Sequence, residues 1–141
     1  MKALRSILIA TAVLCTVSCE MLDIDSNLTI AERLEGRWLV EEDTPLKSTD
    51  DFYRVYIDIS PVDSNRILID NFYGINSGSV YADISGMTLN LPVQNLQGGF
   101  TIYGSAIISA NYKKITWDYF VDDGSGIWEK VSAIYTKEED Y

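Results

Sequence analysis

The chemistry open to this chain is limited first by a residue it lacks. Its 141 residues include no His, which removes the commonest general base, imidazole metal ligation and a Ser-His-Asp triad. No Ser-x-x-Lys occurs either. Acid–base work would then fall to the 21 Asp and Glu side chains. A carboxylate pair works only when one member sits in apolar surroundings at a defined distance from the other. The signal is therefore an acid at an apolar-face position, and Glu129, which interrupts Ile127, Val131, Ala133 and Tyr135, is the one picked out. A strand end near a rim accounts for it. Asp122-Asp123-Gly124-Ser125-Gly126 holds the residue types of a calcium loop without its alternate spacing, so it reads as a hairpin turn. Glu41-Glu42-Asp43, with Asp50-Asp51, reads as a solvated acidic loop. The expectation is no catalytic residue, no metal site and no cofactor.

The aromatics are the remaining group: nine Tyr, three Trp and four Phe. Trp117 and Tyr119 fall on one face of their strand with the apolar residues. Tyr56, Phe72, Tyr81, Tyr103, Phe120 and Trp128 alternate to the other face and form the candidate binding set. Aromatic rings stack on sugars and fill interfaces, and cross-strand packing is the plainer alternative. Six outward aromatics exceed what a free solvent face needs, so a partner or loops should cover part of it. The net charge of -10 repels phosphate backbones and argues against a nucleic-acid partner.

The elements that must position these residues are strands. Thr29-Ile30-Ala31-Glu32 fits a capping box, opening a short helix to about Glu35 that Gly36 stops. Gly36 to Val40 is a first strand, and Glu41 to Asp51 a polar loop. Period-two alternation then recurs at Tyr53–Ile59, Arg66–Phe72, Ser79–Ile84, Met87–Leu91, Phe100–Ile108, Ile115–Val121 and Ile127–Thr136. Pro92 to Gly98 reads as another loop. Connections this short exclude parallel crossovers. Eight sequential antiparallel strands with one apolar face predict an all-β fold, a single eight-stranded meander barrel, with a two-sheet sandwich as the alternative. Trp38, Tyr53, Phe100, Trp117 and Tyr119 would fill the interior, whereas Ala82, Gly104, Ala106 and Ala133 would leave room.

The N-terminus is an address. Lys2 and Arg5 precede an apolar run from Ile7 to Val17, the length of a signal-peptide core and too short to span a bilayer. Leu14-Cys15-Thr16-Val17-Ser18-Cys19 resembles a bacterial lipobox, with Thr16 where an aliphatic residue is commonest. The resemblance implies cleavage after Ser18 and acylation of Cys19. The alternative is an ordinary secretory signal with an incidental cysteine. Cys15 and Cys19 are the only cysteines, so the domain itself would carry no disulfide. The expected organisation is a signal peptide over 1–18, a lipidated tether over 19–27, a β-barrel domain over 28–137 and an acidic tail over 138–141.

Leu34-Glu35-Gly36-Arg37-Trp38 resembles the start of lipocalin-like (calycin-type) barrels, where a Gly-x-Trp follows a short helix and the Trp plugs the closed end. Cys19, the acid-rich stretch from Glu20 to Asp25 and the strand-rich remainder resemble small lipoproteins of gut Bacteroidetes. That resemblance implies an outer-membrane lipoprotein of the bacterial cell envelope, some of whose kind reach the cell surface and serve glycan uptake. The expected role is non-catalytic binding of a glycan, a small apolar ligand or an envelope partner protein, with the outer face or loops favoured over an internal ligand. A structural accessory lipoprotein without a small-molecule site, and a hydrolase, are the alternatives.

Overall fold

The computed structural model describes residues 27–43, 52–76 and 78–139. The signal peptide, Cys19, nearly all of the tether, residues 44–51 of the polar loop and the last two residues of the acidic tail lie outside the described residues.

Helix α1 (Ile30–Leu34) forms where its capping box predicts. The Glu32 amide donates to Thr29 Oγ1 at 3.2 Å, and the Thr29 amide donates back to Glu32 at 2.6 Å. These bonds satisfy amides that a helix start leaves unpaired. Eight strands follow: β1 (Gly36–Asp43), β2 (Phe52–Ile59), β3 (Arg66–Asp70), β4 (Ser79–Ser85), β5 (Thr88–Leu96), β6 (Phe100–Ile108), β7 (Lys114–Asp122) and β8 (Glu129–Lys137). Each pairs antiparallel with its neighbour in sequence, and β1 pairs with β8 through Trp38↔Lys137 and Val40↔Tyr135. The sheet is one closed barrel, not a two-sheet sandwich. Closure leaves no sheet edge open to another chain.

The alternation read from the sequence sorts the side chains. Val55 and Ile57, Ile67 and Ile69, Ile115, Trp117 and Tyr119, and Val131, Ala133 and Tyr135 are all buried. Each fully buried aliphatic or aromatic side chain contributes roughly 1.5–3 kcal/mol of transfer free energy. α1 closes one end of the barrel. There Trp38 is fully buried, its indole N–H donates to the Leu34 carbonyl at 2.8 Å, and the Lys137 ammonium lies 5.7 Å from its ring centroid. Gly36, at φ +121°, turns the chain from the helix into β1. The odd-numbered strands run away from this end. The described parts of the β3–β4, β5–β6 and β7–β8 connections therefore gather at the opposite end, called open because a concavity lined by Tyr73, Phe100 and Trp128 lies there.

Four local readings need correction. β1 continues to Asp43, so Glu41-Glu42-Asp43 is strand and not loop. β3 stops at Asp70, and Phe72–Gly74 is a 3-10 turn flanked by left-handed backbone at Asn71 (φ 63°) and containing it at Tyr73 (φ 59°). β5 continues through Pro92 to Leu96 with a register shift between Leu91 and Gln94. There the Gln94 side chain stands in for a backbone pair: its amide donates to the Tyr81 carbonyl at 2.8 Å and its oxygen accepts from the Tyr81 amide at 3.0 Å. Gly104 leaves no room in the lumen. A Cβ there would lie 2.5 Å from the Tyr119 Cα and the Asp118 carbonyl, so its missing side chain lets β7 approach.

Candidate functional site

Two neighbouring features carry polar chemistry, one inside the barrel and one at its open end. The inner one is Glu42. The parity that turns Trp38 and Val40 inward carries one step further and brings Glu42 in with them, 7% exposed. Its carboxylate accepts hydrogen bonds from two tyrosines. Tyr119 donates to Oε1 at 2.6 Å, and Tyr53 donates to the same oxygen. Tyr135 is fully buried, and burial followed by the charge of Glu42 pushes its phenol well up. Burial is also the first cause raising Tyr53 and Tyr119, with the neighbouring tyrosines and Glu42 adding to it. Phenols shifted this way stay protonated and act as donors, so the tyrosines grip the Glu42 carboxylate and supply no phenolate. Tyr135 Oη and Trp117 Nε1 are buried with no hydrogen-bond partner among the described residues.

Phe72 belongs to this interior. The sequence places it on the outer face with the binding set, but it is 0% exposed. The reversal at Asn71 turns the chain across the barrel end and drives the ring inward. It meets Trp117 edge-on at 5.7 Å and Tyr119 at 4.9 Å. Strand alternation does not extend through a left-handed turn, which is why the parity fails there.

The outer feature is a concavity of about 500 Å³ at the open end. Tyr73, Phe100 and Trp128 give it aromatic walls, Val121 and Ile127 apolar ones, and Asp123 and Glu129 carboxylates. Tyr73 packs against Phe100 at 5.9 Å and Tyr119 at 6.2 Å, so mouth and interior share a wall. Glu129 begins β8 opposite Val121, and its Oε1 is buried without a hydrogen-bond partner among the described residues. Asp123 lies in the 123–128 connection, where its carboxylate accepts from the Ser125 amide at 3.1 Å. Asp122 caps the same turn through the amides of Gly124 and Gly126, both at 3.0 Å. Hydrogen bonds from Ser125 hold Asp123 below the usual carboxylate range. These contacts make the segment a self-capped turn. Among the described residues, no group of three or more Cys, Asp or Glu is placed to hold a metal ion.

Of the six outward aromatics expected from the sequence, three come together. Tyr103 stacks on Phe120 at 5.1 Å with planes 16° apart, and Trp128 meets Tyr103 edge-on at 5.0 Å. Trp128, 43% exposed, belongs both to this outer platform and to the mouth. Tyr56, 44% exposed on β2, stands apart. Tyr81 on β4 lies under the Arg66 guanidinium, 4.1 Å from its ring centroid, which Asp83 holds at 2.7 Å. Sequence reasoning missed Glu42 and Tyr73. Parity counted from Trp38 finds Glu42, whereas no periodic signal marks Tyr73. No protein-family model and no curated protein matches the chain.

Proposed function

We propose that this chain is a membrane-anchored, extracytoplasmic lipoprotein whose lipocalin-like barrel holds a small ligand at its open end without catalysis. The aromatic-walled concavity of about 500 Å³ carries the reading. It has the size of a small-molecule site, with a few polar groups set in apolar walls. The raised tyrosines support binding over turnover, because they remain donors. The lipobox resemblance at Cys19 supplies the anchor. The Bacteroidetes-type resemblance gives the setting, an outer-membrane lipoprotein beside glycans and envelope proteins. The Tyr103–Phe120–Trp128 platform extends the mouth outward, so a bound glycan or partner group can stack on it while its tip enters.

Two experiments test this. Cys19→Ala should move the protein from the detergent phase to the aqueous phase of fractionated cells. Retention in the detergent phase would refute the anchor. A panel of soluble glycans and small apolar compounds should contain a ligand that changes the fluorescence of the exposed Trp128. Trp128→Ala should remove that response and weaken binding by about tenfold, the scale of one lost aromatic contact. Equal affinity of the variant would place binding elsewhere.

A further inference from the structure

We infer that the open-end concavity selects an organic cation, an ammonium group carried on an apolar stem. The inference rests on the binding role proposed above and names the ligand chemistry. Tyr73, Phe100 and Trp128 present rings around the site, and Asp123 and Glu129 are its charged lining residues. Among the described residues no lysine or arginine lines it. The nearest basic residue in sequence, Lys130, points to the outer face and pairs with Asp118 at 3.4 Å.

The charge is concentrated on one ring. Tyr73 is pushed up first by burial and then by the negative charges of Glu129, Glu42 and Asp123, so three carboxylates act on a single aromatic wall of the mouth. Glu129 Oε1 is already buried and lacks a hydrogen-bond partner among the described residues. A neutral ligand seated over the rest of this half-buried side chain would strip its remaining water and leave the carboxylate uncompensated, which is costly. A metal ion needs several oxygens converging at bonding distance, and among the described residues no group of three or more acids converges. An ammonium on an apolar stem meets all three features. The rings attract it through their negative faces, the carboxylates neutralise it, and the apolar walls of Val121 and Ile127 take its stem.

Choline and 3,3-dimethylbutan-1-ol test this, because they share shape and differ in charge. Each is titrated into the full-length, isotope-labelled chain while the Trp128 indole and the 121–129 amide resonances are followed. Choline should shift them and bind at least about tenfold tighter than the neutral alcohol. Glu129→Gln should erase that preference while the rest of the spectrum is unchanged. Asp123→Asn should reduce it. Equal binding of the two probes, or a preference that survives in Glu129→Gln, overturns the inference. If a neutral oligosaccharide shifts the same resonances and choline does not, the cation inference falls and the binding reading stands. If no probe moves them, both fall.

Discussion

The two ends of the barrel use aromatic residues in opposite ways. At the closed end Trp38 is fully buried, its indole N–H is bonded to Leu34, and the Lys137 ammonium sits near its ring. The helix above it is capped at both partners of its box. At the open end Tyr73, Phe100 and Trp128 are partly exposed around a concavity, and Glu129 Oε1 lacks a hydrogen-bond partner among the described residues. Asn71 and Tyr73 hold left-handed backbone there, a conformation that costs a non-glycine residue of order 1 kcal/mol or more. Satisfied groups and dry packing mark the end that stabilises the fold. Exposed rings and a carboxylate oxygen without a hydrogen-bond partner among the described residues mark the opposite end, where the proposed ligand would sit. Left-handed backbone does not separate the two ends, since Tyr112 (φ 58°) holds it in the turn beside α1.

The sharpest way to break this contrast is to remove an aromatic from each end. Trp38→Ala should cost roughly 3–5 kcal/mol, the range for a fully buried Trp, because it opens a cavity and strips the Leu34 carbonyl of its donor. Phe100→Ala, on the half-buried rim, should cost roughly half as much or less. Denaturant melts of the two variants give the comparison directly. Equal losses would mean that the open end contributes to stability as strongly as the closed one.

Glu42 lies between the two regions and sharpens the boundary. Glu42→Ala should destabilise by about 1–3 kcal/mol, since it leaves the Tyr53 and Tyr119 hydroxyls buried without their acceptor. Glu42→Gln keeps a carbonyl oxygen there and should lose less. A chemical melt that ranks Gln below Ala would show that the charge, and not the acceptor, is what the tyrosines need.

The smallest effect concerns pH. Unfolded tyrosine ionises near pH ~10, and Tyr53, Tyr119 and Tyr135 are raised above that value in the fold. Below the unfolded value both states hold these protons and the contribution to stability is full. As pH rises through it, the unfolded chain releases protons that the fold retains, so stability falls. Tyr135→Phe removes one such group and also a buried hydroxyl that lacks a hydrogen-bond partner among the described residues. It should leave stability near neutral pH within about 1 kcal/mol and flatten the loss above pH ~10. Thermal melts across that range measure the slope. An unchanged slope would assign the alkaline sensitivity to other groups.

Much of the fold is legible in the chain. The capping box at Thr29, the Gly36–Trp38 entry into β1 and the alternation along β2, β6 and β7 are local signals. Local rules decide them: a side-chain oxygen within reach of an amide, and successive Cβ atoms on opposite faces. The same rule carries two residues past Val40 to Glu42, where an acidic run reads as loop because hydrophilic residues usually seek water. Two tyrosine donors from β2 and β7 overturn that reading, and neither is near Glu42 in sequence.

By itself, then, the sequence determined the kind of element at most of the described positions, the inward set of Val, Ile, Trp and Tyr, and the single meander that joins them. Only the tertiary structure decided how distant residues meet. It turned Phe72 into the lumen through the left-handed step at Asn71. It used the bare Gly104 to admit a neighbouring strand. It brought Tyr73, Phe100, Asp123 and Trp128 from three separate connections or strand ends to one rim. The physical reason is the range of the interactions. Alternation and capping act over one to four residues, but closing β1 onto β8 fixes the placement of side chains about a hundred residues apart, and a mouth exists only once that ring is closed.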